Sequence, residues 1–230
     1  MDPQDAPRPR TAIERSRDRA TAHPGRDGRR AYAKGMLQGI VSMLQPGDVT
    51  VDCGANLGAI TEVLADTGAT VHAFEPDPYT FDILRKNFGD RPNVILHNVA
   101  VGATAGRVTL MRAEGWAANP QGASVSSSIV EGGRRMDTGD GVEVELIDFP
   151  AFLTDLLTRH SRIAFVKMDI EGAELDLLEA METHGFFEKV GLTVAETHER
   201  KFAHLAPRFA ALRTRIAARH PITRVNLDWI

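Results

Sequence analysis

Three groups of side chains in this sequence carry chemistry. The first is Asp52-Cys53-Gly54-Ala55-Asn56-Leu57-Gly58, which follows a short apolar run and is itself followed, 23 positions after Asp52, by Glu75-Pro76. A strand that runs into a glycine turn, with an acidic residue ending the next strand roughly 20 residues on, is how an α/β chain grips the ribose of a nucleoside cofactor. The second is Lys167-Met168-Asp169-Ile170-Glu171-Gly172-Ala173-Glu174, where an apolar run ends in Asp169 and Glu171 before a helix opens. Carboxylates at such a place are costly unless paired or used. The third is Glu196-Thr197-His198. An extended backbone turns Glu196 and His198 to one side, and a histidine that titrates near neutrality is a candidate general base.

The turn narrows the choice of cofactor. A dinucleotide site is built on Gly-x-Gly-x-x-Gly, whose middle glycine lets the backbone approach the pyrophosphate. Here Asn56 occupies that middle position, between Gly54 and Gly58. S-adenosylmethionine has no pyrophosphate and tolerates a side chain there, with its ribose and amino-acid end against the loop and the helix N-terminus. Glu75 is then expected to accept both ribose hydroxyls, and Asp52 to face the methionine ammonium and the sulfonium. The competing reading is a glycine turn and a salt-bridged Glu75 that serve only the fold. A nicotinamide-dependent oxidoreductase is disfavoured by Asn56.

These residues need an alternating scaffold to bring them together. Val49–Cys53, Thr70–Phe74 and Val94–His97 read as strands. Helices are expected between them over Leu57–Asp66, capped by Asn56, and after Asp77-Pro78 up to Gly89. Such a βαβαβ run predicts a parallel sheet with helices on both faces. Strands at Arg107–Arg112 and Val142–Ile147 then flank a segment from Ala113 to Gly141 with six glycines and four serines, expected to be an inserted loop over the acceptor site. The alternation resumes with a helix over Phe149–Thr158, a strand over Ile163–Asp169, a helix over Ala173–Glu182, a strand over Val190–Glu196, a helical stretch over Phe202–Arg219 and a last strand over Ile222–Leu227.

The whole chain has 230 residues, 43% hydrophobic and 25% charged, with net charge −4. That suits one large globular domain and gives no overall basic character for a nucleic-acid binder. We expect residues 1–28, rich in Pro, Arg, Asp and Ala, to be a mobile tail with a short helical attempt near Thr11–Ala20, and residues 29–230 to form one domain. Cys53 stands alone, so no intrachain disulfide forms and a cytoplasmic setting is expected. No apolar stretch is long enough for a membrane span, and no secretory signal is visible.

At these residues the chain resembles the FkbM-type family of S-adenosylmethionine-dependent methyltransferases. The resemblance is carried by Val51 to Gly58, by Ala73-Phe74-Glu75-Pro76-Asp77-Pro78, by His97-Asn98-Val99-Ala100-Val101-Gly102, and most specifically by Val166 to Glu174. It implies a class I methyltransferase (Rossmann-like) fold, a mostly parallel seven-stranded sheet whose last hairpin is antiparallel. It also implies O-methylation of a sugar, glycoconjugate or natural-product hydroxyl, with Asn98, Val99 and Ala100 bordering the adenine. The cofactor-binding set is then Asp52, Gly54, Asn56, Gly58, Glu75, Pro76, Asn98, Val99, Ala100 and Asp169.

In the reaction so implied, a hydroxyl oxygen attacks the methyl carbon in line with the departing sulfur, and orientation supplies most of the gain. Asp169, Glu171 and His198 are the candidates to take the proton. A cation on Asp169 and Glu196 is an alternative way to lower the hydroxyl pKa, but no Asp/His cluster of diagnostic spacing appears, so no metal site is expected. The expected partner is a small-molecule or glycan acceptor, without nucleic acid or integral membrane contact. A catalytically silent cofactor-binding scaffold is the rival reading.

Overall fold

The computed structural model describes residues 26–113, 115, 116, 118–120, 127–130 and 136–229. Residues 1–25 of the expected tail, with the helical attempt at 11–20, lie outside them, as do Ser124 and Ser126 of the insertion, whereas Arg26 to Gly28, assigned to the tail, begin a helix. The chain divides into residues up to Gln38 and residues from Gly39 onwards. A helix, α1 (Arg26–Val41), crosses that division. No helix among the described residues is long and apolar enough to cross a membrane.

From Gly39 onwards the alternation is as regular as its sequence pattern. Strand β1 (Val49–Cys53) is buried at all five positions, as a central parallel strand covered on both faces must be. Helix α2 (Ala59–Ala65) leads to β2 (Thr70–Phe74), and α3 (Pro78–Phe88) to β3 (Val94–His97). Short strand β4 (Ala100–Gly102), then β5 (Gly106–Ala113) and β6 (Met136–Asp148), form a second sheet in the order β4-β6-β5. After α4 (Phe149–Arg159) come β7 (Ile163–Met168), α5 (Glu174–Thr183), β8 (Val190–Ala195), α6 (Ala206–Arg219) and β9 (Val225–Asn226). The main sheet runs β3-β2-β1-β7-β8-β9. Its order reverses between β1 and β7, and open α/β sheets place their ligands at the carboxyl ends of strands at such a point.

Three expectations change. The main sheet has six strands rather than seven, and its end is not an antiparallel hairpin. β9 pairs parallel to β8, through Thr193 with Val225 and Val194 with Asn226. The cause is the connection: α6 carries the chain back along the sheet, and a helical crossover returns the next strand in the same direction. Beyond these pairs an isolated bridge between Glu196 and Asp228 is antiparallel. Nor is the Ala113–Gly141 stretch one long loop, because β6 already begins at Met136 and Ser128 pairs backbone to backbone with Met111.

The core that holds the site rigid lies between helices and main sheet. Phe149, Leu153 and Leu156 of α4, Leu177, Leu178 and Met181 of α5, and Phe209, Leu212 and Ile216 of α6 recur at helical spacing and are buried together against β1, β7 and β8.

Candidate active site at the carboxyl edge of the sheet

The glycine turn is held from three sides. Gly54 and Ala55 donate their N–H groups to Phe74 O, at 3.0 and 2.9 Å. Gly54 has φ +77°, and a Cβ there would lie 1.9 Å from Asp169 O, so only glycine lets the turn after β1 close on the end of β7. Asn56 also adopts a left-handed conformation, φ 50°. It is not the helix cap: Gly58 takes that place, without a side-chain hydrogen bond. A Cβ on Gly58 would lie 2.1 Å from the Phe88 ring, so this glycine serves the packing of α2 on α3 and is not on the cleft wall.

Glu75 ties the turn to the next helix. Its Oε2 accepts Asn56 N and its Oε1 accepts Asp77 N, both at 2.9 Å. Each oxygen keeps a lone pair for a further donor. Burial pushes the Glu75 carboxyl up to about 7 against the pull of those two N–H groups. Asp77 caps α3, accepting Tyr79 N and Thr80 N, and its other oxygen takes Arg112 Nε at 2.9 Å. Asn98 donates to Glu75 O and Pro76 O, at 2.9 and 3.1 Å. It braces the wall from behind rather than lining it.

A cleft opens here, lined among others by Gly54, Asn56, Glu75, Pro76, Val99 and Ala100. Asp169 and Glu171 line it too. Leu110 of β5 and Ser127 and Ile129 of the insertion line it as well; the sequence places the insertion near the acceptor, whereas no local signal points to Leu110. Ser127 Oγ is buried with no hydrogen-bond partner among the described residues.

Asp52 is the expectation the structure corrects. It is fully buried and absent from the cleft wall. Thr61 Oγ1 donates to its Oδ2 at 2.8 Å, and Lys167 Nζ lies 3.2 Å from its Oδ1. Asp52 therefore anchors a buried cation behind the cleft wall. Lys167 also donates to Gly54 O at 2.7 Å and lies 3.7 Å from Asp169. Burial alone would lower the lysine pKa, but Asp52 and Asp169 more than reverse this and raise it. Burial and Asp52 push the Cys53 thiol far up, which disqualifies it as a nucleophile.

The second and third groups of the sequence meet at the ends of β7 and β8. Asp169 N donates to Cys53 O, and Glu196 N to Met168 O, so pairing continues one residue past each strand and sets the two carboxylates side by side. His198 Nδ1 lies 3.0 Å from Glu174 Oε1. Its Nε2 lies 3.4 Å from Glu171, 3.9 Å from Asp169 and 4.0 Å from Glu196. Glu174 is wholly buried, and its carboxylate also accepts Ile170 N and Gly172 N, bracing the turn in which Glu171 sits at φ 56°. Lys201 Nζ holds Glu171 at 2.9 Å. Burial works against a charged His198 ring, but Glu174, Glu171 and Asp169 outweigh it and raise the pKa to about 9. Burial, then Asp169, lifts Glu196 to about 7. Burial also raises Glu171.

Residues 52–220 match the family model of the methyltransferase FkbM domain. The chain belongs to the FkbM methyltransferase family. It is 28% identical, over 68% of its length and 67% of the relative's, to a 31-O-demethyl-FK506 methyltransferase of Streptomyces tacrolimicus. It is also 28% identical to the hexuronic acid methyltransferase AglP of Haloferax volcanii, over 66% of this chain and 56% of that one. A ribosomal RNA small subunit methyltransferase A of Thermotoga petrophila shares 47% identity, but over only 23% of this chain and 20% of its own. The chain is thus a methyltransferase of Rossmann-like class I fold, and its cofactor is S-adenosylmethionine. The site's chemistry fits that group: a buried carboxylate with spare lone pairs suits a ribose diol, and Asn56 fills the place a pyrophosphate needs empty.

Proposed function

We propose that the chain methylates a hydroxyl oxygen of a sugar, glycoconjugate or natural product. One observation carries the reading: Asp169 and Glu171 belong both to the wall of the cofactor cleft and to the polar cluster around His198. A hydroxylic acceptor in that cluster would stand next to the cofactor. The two relatives matched over most of this chain are named for an O-methylation and for a hexuronic acid, which agrees with such an acceptor.

In this reading Glu75 holds the ribose, Val99 and Ala100 border the adenine, and the Gly54–Asn56 turn receives the amino-acid end. When bound, S-adenosylmethionine supplies a sulfonium methyl group to an attacking oxygen and retains the electron pair of the broken carbon–sulfur bond. Asp169 orients the acceptor hydroxyl, and Asp169 or Glu171 takes its proton; that both carboxylates line the cleft supports this role. Leu110 and Ile129 keep water from the cleft.

The test offers uronic acids, other sugars, polyketide alcohols and ribosomal RNA to the full chain with isotope-labelled cofactor. Methyl transfer to a hydroxyl compound, lowered about a hundredfold or more by Asp169→Asn with S-adenosylhomocysteine binding retained, is the expected result. Transfer only to RNA would overturn the acceptor class. Tight S-adenosylhomocysteine binding without transfer to any acceptor would favour the silent scaffold.

A further inference from the structure

Asp169, Glu196 and His198 each offer one ligand atom, and these atoms all lie within 4.8 Å of one another. In the sequence only the two carboxylates present themselves as ligands; the fold adds an imidazole nitrogen. We propose that these three residues bind a divalent cation of the Mn2+/Mg2+ class, which grips two neighbouring oxygens of the acceptor. The inference rests on the methyltransferase reading for its purpose but not for its geometry.

Glu174, apart from the three ligands, sets the imidazole. It is wholly buried, fixed by the Ile170 and Gly172 N–H groups, and takes His198 Nδ1 at 3.0 Å. That leaves Nε2 as the nitrogen facing the carboxylates, the arrangement by which a carboxylate holds a metal-ligating histidine in one tautomer. Glu171 is the nearest carboxylate to Nε2, yet Lys201 already holds the same Oε2. Asp169 Oδ1 and Glu196 Oε1 are left to face the ring, at 3.9 and 4.0 Å. Two ligands on one cation at about 2.1 Å stand about 3 Å apart when cis, so closure needs only side-chain rotation. Asp169 and Glu196 are each about a third exposed (32% and 34%), which leaves one side of the site open.

The donor set of two carboxylates and one imidazole suits Mn2+ or Mg2+ better than a thiophilic ion. Its open positions would be filled by oxygens, and a vicinal diol or hydroxy acid supplies two at the right separation. Bound so, a hydroxyl is polarised and loses its proton more readily. This selects among the acceptors: compounds with two adjacent oxygens should react, and isolated alcohols should react poorly.

The experiment titrates Mn2+ into chelator-treated full-length protein and follows free Mn2+ by electron paramagnetic resonance, with S-adenosylhomocysteine binding measured beside it. One saturable Mn2+ site is expected. Glu196→Gln and His198→Ala should each weaken it at least about tenfold, and Glu174→Gln should weaken it within the roughly 10–100-fold range of a lost histidine partner. Glu196 and His198 are off the cofactor cleft wall, so their variants should bind S-adenosylhomocysteine within about threefold of wild type, which also shows that they fold. No saturation by about 1 mM Mn2+, or binding indifferent to both variants, overturns the proposal. Failure of wild type to bind S-adenosylhomocysteine would instead overturn the methyltransferase reading, while the Mn2+ titration still decides the metal.

Discussion

Glu75 does two things with one side chain, and its neighbours show why a glutamate is needed. Its oxygens knit the turn after β1 to the cap of α3 while facing the cleft. Glu75→Ala should lose roughly 3 kcal/mol of cofactor affinity, about a hundredfold, in calorimetric titration with S-adenosylhomocysteine; unchanged affinity would remove the ribose role. Lys167 poses the opposite problem, a charge with no route to water. Lys167→Met leaves Asp52 as an unpaired carboxylate in the interior. Breaking such a pair from one side costs about 3–5 kcal/mol, whereas replacing both charges is far milder. Urea unfolding should therefore show Lys167→Met well below wild type and the double variant with Asp52→Asn recovering part of the loss. Much of this site could be read from residue types: Gly54, Asn56, Glu75, Asp169 and Glu171 all meet at the cleft. Asp52 could not, because a strand-end carboxylate looks the same in sequence whether it turns to the ligand or to a lysine more than a hundred positions away.

Elements were legible where punctuation was local. β1, β2 and β3 begin and end where the sequence places them, and Asp77-Pro78 caps α3 as its residue types require. Non-local features were hidden. β4 is three residues long and exists through its pairing with Leu146 to Asp148, and the direction of β9 is set by α6. The same limit hid the way the insertion is moored. Ser128 Oγ donates to Glu171 O at 2.6 Å and accepts Val130 N at 3.0 Å, joining the second sheet's edge to the turn that carries the acidic cluster. Ser128→Ala removes about 1 kcal/mol of that attachment. Hydrogen exchange at the Met111 and Ser128 amides, which bond each other's carbonyls, should quicken about fivefold, while amides of β1 and β7 should not change. Equal acceleration in the main sheet would mean that the insertion has no opening of its own.

Over the whole molecule, acid stability depends on a pair of histidines far along the sheet from the cluster. His72 on β2 and His97 on β3 lie with Nδ1 and Nε2 3.1 Å apart, so one ring donates and the other accepts, and the two rings cannot both carry a second proton without breaking the pair. Phe152 packs edge-on against both rings, and Phe74 stacks on His97. Burial first, then His97, Arg159 and His160, lower His72 to about 4, with Asp155 opposing; burial lowers His97 as well. The folded pKa lies below the unfolded one, so between about 6.5 and 4 the unfolded chain binds the proton and the folded chain does not. Stability from this pair is therefore full above about pH 6.5 and drains away as the pH falls towards 4. From His72 alone the loss between pH 7.5 and pH 5 is roughly 2 kcal/mol. Glu75, whose folded pKa is raised to about 7, contributes with the opposite slope, so the comparison must be between variants. A His72→Phe, His97→Leu chain, unfolded in urea at both pH values, should lose at least about 2 kcal/mol less on acidification than wild type. Equal losses in the two chains would show that this pair has no part in the acid response, whatever the variant's stability at pH 7.5.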